Sequence, residues 1–128
     1  MTSTRCDRWQ SGLSVVRHWR IVPRAFVETP VFTRDVVELM PDDEYRNLQL
    51  ALALRPEAGA VIRGSGGLRK IRWALPGRGK RGGVRVIYYW ATAENVIFML
   101  MVYPKSRQDD LTPQQLRVLR RLVQEEFR

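Results

Sequence analysis

Leu68-Arg69-Lys70-Ile71-Arg72-Trp73-Ala74-Leu75, Val84-Arg85-Val86-Ile87-Tyr88-Tyr89-Trp90 and Val96-Ile97-Phe98-Met99-Leu100-Met101-Val102-Tyr103 are three strand-length runs in close succession. Successive side chains of a strand point to opposite faces. In the first run Ile71, Trp73 and Leu75 therefore share one face, and Lys70 and Arg72 share the other. In the second, Arg85, Ile87 and Tyr89 alternate with Val86, Tyr88 and Trp90. The third is apolar on both faces, the mark of a strand lying inside a sheet. The Gly64-Ser65-Gly66-Gly67 cluster opens the set, and Ala93-Glu94-Asn95 is a tight turn between the last two strands. Three antiparallel strands in a row are the expected outcome.

Working outward, Phe26-Val27-Glu28-Thr29 reads as a first strand stopped by Pro30. Phe32, Val36, Leu39 and Met40 then recur at the spacing of one helix face. Pro41 breaks that helix, and Asp42-Asp43-Glu44 starts a second with acids at the positive end of its dipole. Tyr45, Leu48, Leu52 and Ala53 form its buried stripe, and Arg55-Pro56 ends it. At the other end Thr112-Pro113-Gln114-Gln115 has the form of a capping box. Leu116, Leu119, Leu122, Val123 and Phe127 supply the apolar stripe of the helix that follows. The order predicts an α+β domain: a small antiparallel sheet with two N-terminal helices and one C-terminal helix packed on it.

The chain has 128 residues, 45% of them apolar and 27% charged, which suits one globular domain. No apolar run is long enough for a membrane-spanning helix, and no membrane partner is expected. A single cysteine, Cys6, excludes an internal disulfide and a multi-cysteine metal site, and fits a cytoplasmic protein. The net charge is +9, unevenly placed. Residues 1–25 carry +4, residues 26–62 carry −4, and residues 63–107 carry +9 with Glu94 as their only acid. Such concentration of charge points to an anionic partner such as RNA phosphate.

Residues 1–25 mix Arg, Ser, Thr and Trp without a sustained period. They read as a loosely ordered basic extension or a start site assigned too far upstream, with an arm touching nucleic acid as the alternative. The domain proper is expected over residues 26–128. His18, the only histidine, falls in the extension, so the domain has no Ser-His or Cys-His couple and no zinc site with nitrogen ligands. Asp109-Asp110 reads as polarity at the helix entry rather than a metal site, so no metal and no cofactor are expected. The glycines of residues 77–83 precede a strand, which excludes a Walker or Rossmann loop.

The cations remain. Lys70 and Arg72 share a strand face that Arg85 can join from the next strand, and Lys105 lies just past the third. Cross-strand neighbours are about 5 Å apart, where like charges repel unless an anion screens them. Arg69 and the loop cations Arg78, Lys80 and Arg81 are further candidates for RNA contact. Cleavage of RNA through its own 2′-hydroxyl is open to such a cluster. Clustered cations stabilise the pentavalent phosphorus, and a lysine crowded by like charge loses basicity and can carry a proton. Tyr89 and Tyr103 are candidates to stack a base, with packing as the alternative.

Gly-Ser-Gly-Gly-Leu-Arg-Lys-Ile-Arg-Trp (64–73), Gly-Lys-Arg-Gly-Gly-Val-Arg-Val-Ile-Tyr-Tyr (79–89), and Val-Tyr-Pro-Lys (102–105) with Asp-Asp-Leu-Thr (109–112) resemble the RelE/HigB toxin family, its HigB-2-like branch above all. Phe-Val-Glu-Thr-Pro-Val-Phe-Thr (26–33) also resembles the start of that branch. The resemblance implies a ribosome-dependent mRNA endoribonuclease that cuts in the ribosomal A site and inhibits translation. It implies mRNA and the ribosome as partners, and a neutralising antitoxin of the helix-turn-helix DNA-binding type. The family's basic catalytic positions fall on Lys70, Arg72, Arg85 and Lys105. A tyrosine that some members carry near the C-terminus has no counterpart here, where Leu111 and a full helix stand instead. A gyrase-inhibiting toxin of the ParE type and a catalytically inactive RNA- or antitoxin-binding relative are the competing readings.

Overall fold

The computed structural model describes residues 25–76 and 83–126. The order is β1 (Ala25–Glu28), α1 (Pro30–Leu39), α2 (Asp42–Leu54), β2 (Ala60–Val61), β3 (Arg69–Trp73), β4 (Val84–Ala91), β5 (Val96–Pro104) and α3 (Pro113–Glu126). The strands form one sheet in the order β1-β5-β4-β3-β2. The three antiparallel strands expected from alternation are β3, β4 and β5. Two features go beyond that expectation. The short β2 extends the sheet past β3, and β1 returns to pair with β5 in parallel, aligning Phe26 with Ile97.

Local chemistry accounts for the helix boundaries. The Thr29 hydroxyl accepts from the Phe32 amide at 3.1 Å and Pro30 opens α1. That hydroxyl also donates to the Leu100 carbonyl at 2.8 Å. Leu100 is the extra residue of a bulge in β5, where Ile87 pairs with Met101 but Tyr88 pairs with Met99. One threonine thus starts α1 and ties it to the irregular point of the neighbouring strand. The capping box of α3 is reciprocal: the Gln115 amide donates to the Thr112 hydroxyl at 3.1 Å, and the Thr112 amide to the Gln115 side chain at 2.9 Å.

Alternation along the strands builds a core on each side of the sheet. Phe26, Val84, Val86, Tyr88, Ile97 and Met99 face α1 and α2, meeting Phe32, Val36, Leu48 and Leu52. Leu68, Ile87, Leu100 and Tyr103 face α3, which contributes Val123 with Leu116, Leu119 and Leu122 beside it. A fully buried side chain of this kind contributes about 1.5–3 kcal/mol, so both layers hold the sheet. Phe127 lies outside the described residues.

Polar anchors lock these layers. The buried Glu28 carboxylate accepts from the Thr33 and Tyr45 hydroxyls, each at 2.6 Å, joining β1 to both helices. The Tyr88 hydroxyl donates to the Pro56 carbonyl at 2.6 Å and accepts from the Gly59 amide at 2.8 Å. A Cβ at Gly59 would sit 2.8 Å from the Tyr88 ring, so only glycine lets the loop come this close.

Candidate active site

The α3-facing side of the sheet carries the cations. Strand register places Arg72 directly opposite Arg85, and Arg85 directly opposite Tyr103. Lys70 faces Ile87, which makes it a diagonal neighbour of Arg85. The alternation read from the sequence therefore does bring Lys70, Arg72 and Arg85 onto one face. Burial divides them: Arg85 is only 5% exposed, Lys70 is intermediate, and Arg72 is open to solvent.

The repulsion within this cluster is offset from inside the chain. Arg85 donates from Nε (3.2 Å) and Nη2 (2.9 Å) to one carboxylate oxygen of Asp109. Lys70 donates to the Asp110 carboxylate and, at 3.4 Å, to the Asp109 carbonyl. The Tyr103 hydroxyl reaches the same carbonyl at 3.4 Å. Both acids sit in the turn between β5 and α3. Their placement goes beyond the helix-entry role expected for them, since each is the counterion of a sheet cation. Among the described residues, Arg72 has neither a hydrogen bond nor an ion pair through its side chain.

Electrostatics follows this geometry. The hydrogen bond from Arg85 holds the Asp109 carboxyl below its ordinary value against the opposing effect of burial, and the charges of Arg85, Lys70 and Arg72 pull the same way as the hydrogen bond. Burial pushes the Tyr103 hydroxyl up to about 12, with Asp110 and Asp109 adding to the shift and Arg85 opposing it. Tyr103 is thus a protonated donor at neutral pH, wedged under the cluster rather than displayed for base stacking. Tyr89 also packs in the α3-side layer, its ring 3.1 Å from where a Cβ on Gly67 would lie.

The other candidate residues fall elsewhere. Arg69 lies on the opposite face of β3, and its guanidinium donates to the carbonyls of Glu57 (3.1 Å) and Gly59 (2.7 Å), bracing the α2–β2 loop. Lys105 is exposed one residue past β5, and its amide continues the ladder to the Gly83 carbonyl at 3.1 Å. Arg78, Lys80 and Arg81 lie outside the described residues, as does His18. Among the described residues, no group of three or more His, Cys, Asp or Glu side chains is placed to hold a metal ion. No helix among them is long and apolar enough to cross a membrane.

Asp109 and Asp110 are what sequence reasoning missed, and the missing signal was topological. They lie 24 and 40 residues from the cations they meet. Only the antiparallel return of β5 along β4 brings the turn beside β3 and β4.

Fold and site together define a small α+β domain with a cationic sheet face beside its C-terminal helix. Residues 46–127 match the family model described as the RelE toxin of the RelE / RelB toxin-antitoxin system, and the chain belongs to that family. It is a toxin of a toxin–antitoxin system, with an antitoxin as partner. The chain is also similar to a solved structure of the E. coli toxin RelE, a mutant with two arginines replaced by alanine, in the free state. That similarity covers 66% of this chain and 85% of that chain at 17% identity, with a TM-score of 0.48.

Proposed function

We propose that this toxin is a ribosome-dependent endoribonuclease that cleaves mRNA in the ribosomal A site, without a metal ion, using Lys70, Arg72, Arg85 and Lys105. The observation that carries the reading is the convergence of Lys70, Arg72 and Arg85 on one sheet face, where two of them already hold carboxylate oxygens. Guanidinium groups bind carboxylate and phosphate through the same planar donor geometry.

The chemistry is attack of a ribose 2′-oxygen on its own 3′-phosphorus, the 2′-hydroxyl proton passing to solvent, with departure of the 5′-oxygen of the next nucleotide. Charge builds on the phosphoryl oxygens as the new P–O bond forms. Arg85, held rigidly in the sheet, and Arg72 opposite it are placed to stabilise that charge. Lys70 is the proton carrier: its ammonium protonates the departing oxygen as the P–O bond breaks. Lys105 extends the basic surface at the end of β5. In-line geometry must come from elsewhere, because these long cationic side chains grip phosphate without fixing the sugar. The decoding centre supplies it, which accounts for dependence on the ribosome. Arg78, Lys80 and Arg81 are proposed to contact ribosomal RNA, and their binding should weaken steeply with salt. The antitoxin is proposed to be a helix-turn-helix DNA-binding protein, and the site of action the cytoplasm, where translation occurs.

Expression of Lys70→Ala tests the reading. Abolished growth inhibition, with mRNA left intact and the protein folded, is the expected result. Full toxicity of that variant contradicts the site, and DNA damage without mRNA cleavage turns the reading towards a gyrase-inhibiting toxin.

A further inference from the structure

The cationic face of the free chain is already occupied, by the chain itself. Lys70 and Arg85 are held by the Asp110 and Asp109 carboxylates. The two partners of each pair differ in how firmly they are fixed. The cations stand on hydrogen-bonded strands with side chains 16% and 6% exposed, whereas the Asp110 and Asp109 side chains are 74% and 57% exposed. Besides the Lys70 and Tyr103 contacts to the Asp109 carbonyl, the backbone of the turn has anchors of its own: Gln108 donates to the Asp110 carbonyl and to Gln115, each at 2.9 Å, and Thr112 caps α3. Among the described residues the two carboxylates accept side-chain bonds from the sheet cations alone. They can therefore leave without unmaking a strand or a helix.

We propose that the Asp109–Asp110 turn is an autoinhibitory anion mimic, which RNA phosphate must displace from Lys70 and Arg85 before the site can act. This rests on the reading of that face as the phosphate site. Arg72 supplies the route of entry. It lies opposite Arg85, is exposed, and has no side-chain ion-pair partner among the described residues. A phosphate first held by Arg72 stands beside Arg85 and competes there with Asp109. The exchange returns the carboxylates to water while phosphate oxygens take their place beside Arg85. The buried Arg85 thus has an anion partner in both states, which avoids the cost of an uncompensated buried charge.

The test uses a fluorescent single-stranded RNA oligonucleotide with 2′-O-methyl riboses, which binds but is not cleaved. Its affinity is measured for the full chain, for Asp109→Asn with Asp110→Asn, and for Asp42→Asn with Asp43→Asn. The second pair makes the same change in net charge on the first turn of α2, beneath the other face of the sheet. The turn variant is expected to bind about tenfold more tightly than the α2 variant, the scale of coupling between close charge pairs. Equal or weaker binding overturns the mimic. Lys70→Ala with Arg85→Ala, measured alongside, separates the two readings. If binding is lost there while the turn variant shows no gain, the phosphate site stands and the mimic fails. If binding is unchanged there, the phosphate site fails and the mimic with it.

Discussion

Replacing Arg85 by alanine should separate catalysis from stability. The side chain is 6% exposed and its guanidinium meets one acceptor side chain, Asp109, which is more than half exposed. On truncation Asp109 rehydrates freely, and Arg72 loses the like charge directly opposite it. These changes offset most of the lost ion pair, leaving mainly the lost packing of the arginine stem, about 1–2 kcal/mol. The catalytic loss is larger. Removing one preorganised donor from a developing oxyanion costs about 10²–10³ in rate, or roughly 3–4 kcal/mol. Arg85→Lys should recover little of it, because an ammonium lacks the planar pair of donors that Nε and Nη2 now direct at one oxygen. The assay is cleavage of mRNA on translating ribosomes, with urea unfolding of the same samples. Activity within a few-fold of the original, or a loss of stability large enough to explain the loss of activity, would refute the assignment.

Other perturbations probe the frame. Gly59→Ala places a Cβ 2.8 Å from the Tyr88 ring and 3.0 Å from the Lys70 carbonyl, so it should destabilise by about 1–3 kcal/mol; an unchanged urea midpoint would contradict that contact. The Asp109 carboxyl is depressed below its ordinary 3.8, so its pair with Arg85 stabilises fully above that value and is lost as pH falls through the depressed one. Asp109→Asn should therefore flatten the acid limb of stability against pH, and an identical limb would count against the pair. Tyr103 is shifted the other way, so its contribution is complete below the ordinary 10.0 and is lost as pH rises through about 12. Tyr103→Phe should make the alkaline loss shallower, measured by urea midpoints across that window. Removing residues 1–25 should leave growth inhibition intact, and its loss would assign the basic extension a part in activity.

Local periodicity made much of this fold legible. Two-residue alternation sorted Lys70, Arg72 and Arg85 from Ile71, Trp73 and Val86, because a half-buried strand writes its two environments into successive positions. Thr112 and Gln115 announced α3 because capping is a contact between near neighbours. What escaped depends on distant pairing. Nothing within Phe26–Glu28 says that it runs parallel to β5, and no local pattern explains a buried acid at Glu28, whose partners Thr33 and Tyr45 come from two later helices. The site was half legible for the same reason. Crowded cations called for an anion, but the anion's first source is a turn whose proximity exists only once β3, β4 and β5 have paired.

The most direct measurement is to map the 5′ ends created in mRNA by the purified chain, on translating ribosomes and on the same mRNA free of ribosomes. Cuts in phase with codons are expected on the ribosome, none on naked mRNA, and none in either case for Arg85→Ala. Equal cutting of naked mRNA would contradict the borrowed orientation, and intact mRNA on the ribosome would contradict the endoribonuclease itself.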